Sequence, residues 1–476
     1  MNIKYIKNKN YLIAFNAETL QCLRFQSGLK YILPTMLPEN YNEDDESFFQ
    51  NKINHIKDEH MRKYMSALLM KSKFTEGLPK KVITISFAPT HNCNLKCKYC
   101  FASGGENYTG DKKDMDERVL TKIIEYILIE YAPECEFLQV SLVSGGEPFL
   151  NLDIVEKIDG IINQFRPNIK RKIYLATNGT LYNDAIKKKL QLINPQLGIS
   201  IDGPEDYQNK NRIFSDGKGT YNQVNNVIES IKNDSHLSLK AKNFVFMSVI
   251  TENNLDLVKI LKHHKNLGAS SVQMKVVRST GRNDGIQNKN VQLFKDAYRK
   301  LSDYLFEQFE ANDLSCFMLI MNNSDTFGKL LKSLLLQQLN NYRCGAGRER
   351  FSFTAEGDIY PCDSFVGKPE FIIGNVMEQN VIKNKHILDI FAQLDVGHIE
   401  SCKECWARYL CTGDCNYNSF MRTGCLNKPD SVMCEFYKYI CELAILLLLN
   451  LEDVNKERYI KLKRLIEIRE NNNLIH

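Results

Sequence analysis

Residues 93–100 read Cys93-Asn94-Leu95-Lys96-Cys97-Lys98-Tyr99-Cys100, directly after the apolar run VITISFAP at 82–89. Three thiols therefore share one short loop at the end of an expected strand. Three thiolates on a four-iron cube leave one iron without a protein ligand, as a cluster that binds a small molecule requires. Zinc is the competing reading, but a structural zinc takes four protein ligands and His91 would have to supply the last. The strand-loop-helix setting favours iron.

Outward from this loop, strands alternate with helical segments: VITISFAP, FLQVSLVS, KIYLATN, LGISID, NFVFMSVI and SVQMKVV. Six such repeats predict parallel βαβ units, either an open doubly wound sheet or a partial barrel. In both architectures chemistry gathers at the carboxyl ends of the strands. The triplet follows the first strand, Gly145-Gly146-Glu147-Pro148 the second, Thr177-Asn178-Gly179 the third and Ser200-Ile201-Asp202-Gly203 the fourth. Asn178 and Asp202 end buried strands and are expected only to satisfy loop backbone.

Upstream, Tyr11 to Phe15 and Leu20 to Phe25 are β-prone runs joined across Asn16-Ala17-Glu18-Thr19, a hairpin pattern. Phe49, Ile53, Ile56 and Leu68 then lie close to a helical stripe ahead of the Gly77-Leu78-Pro79 break. Residues 1–80 are read as a small α+β module, 81–310 as the βα domain and 311–340 as a helical bridge. Residues 341–436 form a cysteine-rich domain with few long apolar runs, expected to need metal to fold. A helical tail, 437–476, should cap the core.

The cysteine-rich part is ordered. Cys344, Gly357 and Cys362 are followed by Cys402, Cys405, Cys411, Cys415 and Cys434. Paired Cys-x-x-Cys segments serve zinc as readily as iron-sulfur, so spacing alone leaves both open. Cys22, Cys135, Cys316 and Cys441 are read as small core residues.

Composition narrows the function classes. A net charge of +5 over 476 residues, with no basic tract interleaved with aromatics, argues against nucleic acid. Leu443 to Leu449, the longest aliphatic stretch, falls well short of the roughly 20 residues that span a membrane. The basic start MNIKYIKNKN leads only into the short apolar run YLIAF, which is no signal-peptide core, so a cytoplasmic location is expected. Fifteen cysteines in a reducing compartment point to metal ligation rather than disulfides.

CNLKCKYC with SGGEP after the next strand resembles the signature of the radical S-adenosylmethionine (SAM) superfamily. The resemblance implies an α/β fold with a partial (β/α)6 barrel, SAM, and a [4Fe-4S] cluster on Cys93, Cys97 and Cys100 whose open iron chelates SAM. It places Tyr99, Gly145, Gly146 and Glu147 beside the cofactor, Glu147 accepting from the SAM ammonium. Ser200 and Arg212 become the ribose- and carboxylate-binding pair.

The cysteine-rich run resembles the SPASM extension, a C-terminal iron-sulfur domain. That implies two auxiliary [4Fe-4S] clusters, one on Cys402, Cys405, Cys411 and Cys434, the other on Cys344, Cys362 and Cys415. The second lacks a fourth ligand, a position for Cys425 or for a substrate thiolate.

Among SPASM enzymes the chain looks like a maturase of Cys-rich ribosomal peptides (sactipeptides or ranthipeptides) that forms thioether cross-links. Residues 1–80 then correspond to a winged-helix-like module binding the leader of the precursor peptide, and a flavodoxin- or ferredoxin-type partner supplies electrons. Asp363 is a candidate catalytic base. Anaerobic sulfatase maturation is the alternative, favoured by the Cys362-Asp363 pair. A non-enzyme reading, an electron carrier or leader-binding scaffold, has no use for an open iron and a SAM pocket.

Overall fold

The structure, a computed structural model, describes residues 3–7, 11–26, 82–102, 113–143, 145–238, 242–278 and 285–475. The helix expected around Phe49 to Leu68 lies outside these residues.

Three strands, β1 (Ile3–Lys7), β2 (Tyr11–Asn16) and β3 (Gln21–Gln26), form an antiparallel sheet. The expected hairpin is β2–β3, with Asn16 paired to Gln21; β1 is an added strand. This sheet is anchored far along the chain. Phe15 is fully buried and meets Trp406 edge-on at 5.9 Å, while Glu18 pairs with Arg408.

The main sheet has nine strands: β4 (Val82–Phe87), β5 (Phe137–Leu142), β6 (Lys170–Thr177), β7 (Gln196–Ser200), β8 (Val245–Ile250), β9 (Ser271–Val276), β10 (Arg350–Phe353), β11 (Asp358–Tyr360) and β12 (Gly374–Asn375). Their spatial order is β12-β11-β10-β4-β5-β6-β7-β8-β9. The six expected strands are all parallel neighbours. β10, from the cysteine-rich part, runs parallel beside β4 as a seventh.

Alternation along parallel strands sorts the side chains onto two faces. On one lie Ile83, Ile85, Leu138, Val140, Ile173, Leu175, Leu197, Ile199, Phe246, Val272, Phe351 and Phe353, all buried. Across the ladders the other face carries Thr84, Gln139, Lys172, Tyr174, Ser200, Met247, Gln273, Lys275 and Arg350. A sheet apolar outside, under its helices, and polar inside is that of a partial barrel with a polar interior. Its ends curl together: Lys275 of β9 and Arg350 of β10, at opposite ends of the parallel set, act electrostatically on each other.

The cysteine-rich segment shares the barrel's core. Phe351, Phe353, Ile359, Phe365, Phe371 and Phe391 pack in one cluster with Ile83, Leu138 and Ile173. The segment therefore also draws on the barrel's core for folding energy: each large apolar side chain buried contributes about 1.5–3 kcal/mol.

The C-terminal helix Ser431–Val454 starts at Asp430, whose carboxylate accepts from the backbone N–H groups of Val432 and Met433. Phe436, Ile440, Ala444 and Leu451 on its apolar face are fully buried. No described helix is long and apolar enough to cross a membrane.

Candidate functional site

The cysteine loop is held from two sides. Leu95 bridges to Phe214, while the N–H groups of Lys96 and Lys98 donate to the carbonyls of Ile213 and Asn211 at 2.8 and 2.9 Å. On the other side Gly146 N donates to Thr90 O at 3.0 Å and Glu147 N to Asn92 O at 2.8 Å. A Cβ on Gly146 would fall 1.9 Å from Asn92 O, so only glycine permits this approach. Gly145 adopts φ +99°, the left-handed region.

Cys93, Cys97 and Cys100 form one electrostatic group, each thiol acting on its neighbours. Burial pushes the Cys97 thiol up to about 12 and raises Cys93 as well. Partly buried thiols crowded in this way ionise readily only with a strong cationic partner, which an iron cluster would supply by displacing the protons.

Glu147 is 2% exposed, and burial raises its carboxyl to about 7. Thr177 Oγ1 (2.6 Å) and Phe149 N (3.1 Å) donate to Oε1, and Asn178 N (2.7 Å) donates to Oε2. Both oxygens thus clamp the strand ends around the loop. The ammonium-accepting role drawn from the sequence competes with three protein donors.

Arg212 is 7% exposed, and its Nε donates to Oδ1 of Asp202 at 3.2 Å. Asp202, wholly buried, also accepts from Tyr99 Oη at 2.6 Å and Val249 N at 3.0 Å. The Arg212 guanidinium lies 5.3 Å from the Tyr99 ring centroid. Tyr99, Asp202 and Arg212 are one unit, contrary to the expectation that Asp202 served only backbone. Ser200 closes β7 level with Met247. Asn178 Nδ2 donates to Asn94 Oδ1 at 2.8 Å and its side chain also bonds the Cys93 thiol, a second role that the sequence reading denied it.

The remaining thiols fall into two sets. Cys362 is acted on by Cys344 and Cys415, and burial raises the Cys362 and Cys415 thiols. Cys411 is acted on by Cys402, Cys405 and Cys434; burial raises Cys402 to about 11 and Cys411 to about 12. These are the two groups that the SPASM resemblance implies. Among the described residues no His, Cys, Asp or Glu trio is placed to hold a single metal ion. A cube of four irons takes thiolates spread around it rather than converging on one point.

Two arginines invisible as a motif organise this region. Arg278 donates to Asp363 Oδ2 at 3.2 Å and to Ser364, lies 5.5 Å from the ring of Phe101 beside Cys100, and acts on Cys362 and Cys415. Arg343 donates to Cys411 O at 2.9 Å and Tyr437 Oη at 2.8 Å, and acts on both Cys411 and Cys415. It is a cation between the two sets. Asp363, the candidate base, is ion-paired to Arg278. Cys425 is exposed after the left-handed Gly424, and its N–H donates to Thr423 Oγ1 at 3.2 Å.

Residues 87–263 match the Radical SAM superfamily and residues 344–406 match SPASM, an iron-sulfur cluster-binding domain. The chain thus carries a radical SAM domain and a SPASM domain, those of a radical SAM SPASM-domain maturase that uses SAM, a [4Fe-4S] cluster and auxiliary iron-sulfur clusters.

Its relatives carry two kinds of name. It is 29% identical over 386 residues, 75% of this chain and 95% of the relative, to a cysteine-type anaerobic sulfatase-maturating enzyme of Clostridium perfringens. It is 24% identical over 302 residues, 62% of this chain and 57% of the relative, to the antilisterial bacteriocin subtilosin biosynthesis protein AlbA of Bacillus subtilis. Among solved structures, native anSMEcpe with bound AdoMet aligns with a TM-score of 0.63 at 24% identity, covering 78% of this chain and 99% of that one, which shows the shared fold.

Proposed function

We propose that the chain matures a Cys-rich, leader-bearing precursor peptide by forming Cys thioether cross-links. The observation that carries this reading is the three-thiol set beside the barrel. Cys344, Cys362 and Cys415 act on one another, while Cys425, the spare thiol of that region, stands exposed. A cluster on three thiols has room for a peptide thiolate. Arg278 ties this set to the loop of Cys100, so the thiolate would be held at the barrel's mouth.

SAM on the cluster of Cys93, Cys97 and Cys100 supplies, when bound, a carbon radical able to take a hydrogen atom from a substrate carbon. The chain's own residues set the stage for it. Asp202 takes the Nε edge of Arg212 and leaves the terminal nitrogens of the fork for the SAM carboxylate. Tyr99 and Val249 fix Asp202, and Ser200 stands at the ribose end. Gly145 and Gly146 bring backbone close to the methionine end, and the glycine turn is held by Glu147. Asp363, adjacent to Cys362 and ion-paired to Arg278, would take the proton from the peptide thiol.

The N-terminal sheet would bind the leader by adding a strand at an exposed edge. Its attachment to Trp406 and Arg408, between Cys405 and Cys411, places it beside the four-thiol set. A flavodoxin- or ferredoxin-type protein would deliver electrons in a cytoplasmic setting.

Sulfatase maturation is the second reading, favoured by the 29% identity over 95% of that relative. Anaerobic co-expression with a Cys-rich precursor peptide, read by mass spectrometry, separates the two. Thioether formation removes two hydrogens per cross-link, keeps sulfur and makes the cysteine resist alkylation. Loss of the cysteine sulfur with a new aldehyde would overturn the thioether reading in favour of the other.

A further inference from the structure

Lys275 occupies the penultimate position of β9, paired in register with Val249 of β8, and Val249 N donates to Asp202 at 3.0 Å. Lys275 therefore stands level with the Asp202–Arg212 pair, on the polar interior face. From the other end of the parallel set, Arg350 shares that face through its pairing with Thr84. Arg278, three residues beyond Lys275, completes a group of cations where the sheet's ends meet. Lys275 is exposed, so a ligand can reach it, and Arg278 and Arg350 are its neighbouring cations.

The carboxylates nearby are committed elsewhere. Asp363 pairs with Arg278. Asp325 accepts from Phe327 N at 3.0 Å and Gly328 N at 2.7 Å through Oδ1, and from Met274 N at 2.7 Å through Oδ2. Among the described residues neither Lys275 nor Arg350 has a salt-bridge or side-chain hydrogen-bond partner. Lys275 and Arg350 thus stand on the polar inner face, between the Arg212 end and the Cys344–Cys362–Cys415 set, with no directly bonded anion among the described residues; Asp363 and Asp325 act on Lys275 from their bonds to other partners.

We infer that Lys275 and Arg350 form a subsite in the barrel interior for a carboxylate of the substrate peptide, an Asp or Glu side chain near the reacting residue. The inference rests on the peptide-maturase reading and adds a sequence preference to it. Charge-assisted hydrogen bonds from two cations to one carboxylate discriminate against the neutral amide, because Asn or Gln leaves the cations unpaired.

The test is selection from a displayed library of Cys-containing peptides, randomised around the cysteine, on the reconstituted full-length enzyme with saturating SAM. Wild type should enrich Asp and Glu at one or two positions on the order of tenfold over Asn and Gln. Lys275→Gln and Arg350→Gln should each reduce this bias, and Lys275→Glu should shift it toward Lys and Arg. Enrichment that appears only without SAM would mean that SAM's own carboxylate fills the subsite, and would overturn the proposal. Peptides retained without acidic bias would overturn it while leaving the peptide reading intact. Retention of no peptide would sink both.

Discussion

Replacing Cys93, Cys97 and Cys100 together by alanine is expected to reduce 5′-deoxyadenosine formation from SAM to background, the largest effect any change in this chain should have. The three thiols are the donor set proposed for the SAM-binding cluster, and without that cluster no electron would reach the sulfonium. The variant should stay folded, because the three side chains are only partly buried whereas the core beneath them rests on Ile83, Ile85, Leu138 and Val140. The measurement is anaerobic SAM cleavage with a strong reductant, alongside circular dichroism. Deoxyadenosine formed at the wild-type rate would remove this loop from the chemistry.

Second in size is Arg212→Ala. Asp202 has no solvent exposure, and truncating Arg212 leaves a buried carboxylate with Tyr99 Oη and Val249 N as its donors and no cation paired to it. Breaking a buried pair from one side costs about 3–5 kcal/mol. Chemical denaturation should show a lower midpoint with an unchanged slope. Adding Asp202→Asn to Arg212→Ala should recover part of the loss, since it removes the stranded charge. Both variants should also raise the KM for SAM, which a purely structural pair would not do. Wild-type stability in the single variant would mean that the pair is not the keystone described here.

The features readable from sequence were those with a repeating or spaced signal. Strand periodicity gave the six parallel strands to within a residue or two at most ends, and cysteine spacing singled out the thiols, whose division into two auxiliary groups came from the SPASM resemblance. Pairings between single residues far apart in the chain carry no such signal. Asp202 with Tyr99 and Arg212, and Arg278 with Asp363, are 10 to 103 residues apart and depend on which strands become neighbours. β10 was missed because RFSF is four residues long and sits among cysteines, yet its alternation puts Phe351 and Phe353 into the barrel core. Asp202 was misjudged for a related reason. A strand-end aspartate normally satisfies loop backbone, and only the return of the 211–214 segment across the cysteine loop brings an arginine to it.

The claim on which everything else depends is that three separate thiol sets each hold a four-iron cluster. Iron, sulfide and zinc analysis of the anaerobically reconstituted chain, repeated on variants lacking one set at a time, tests it most directly. Independent ligation predicts about twelve irons per chain, no stoichiometric zinc, and about four irons lost with each set removed. Zinc in place of iron on Cys402, Cys405, Cys411 and Cys434, or iron that vanishes from all sets when one is removed, would contradict it.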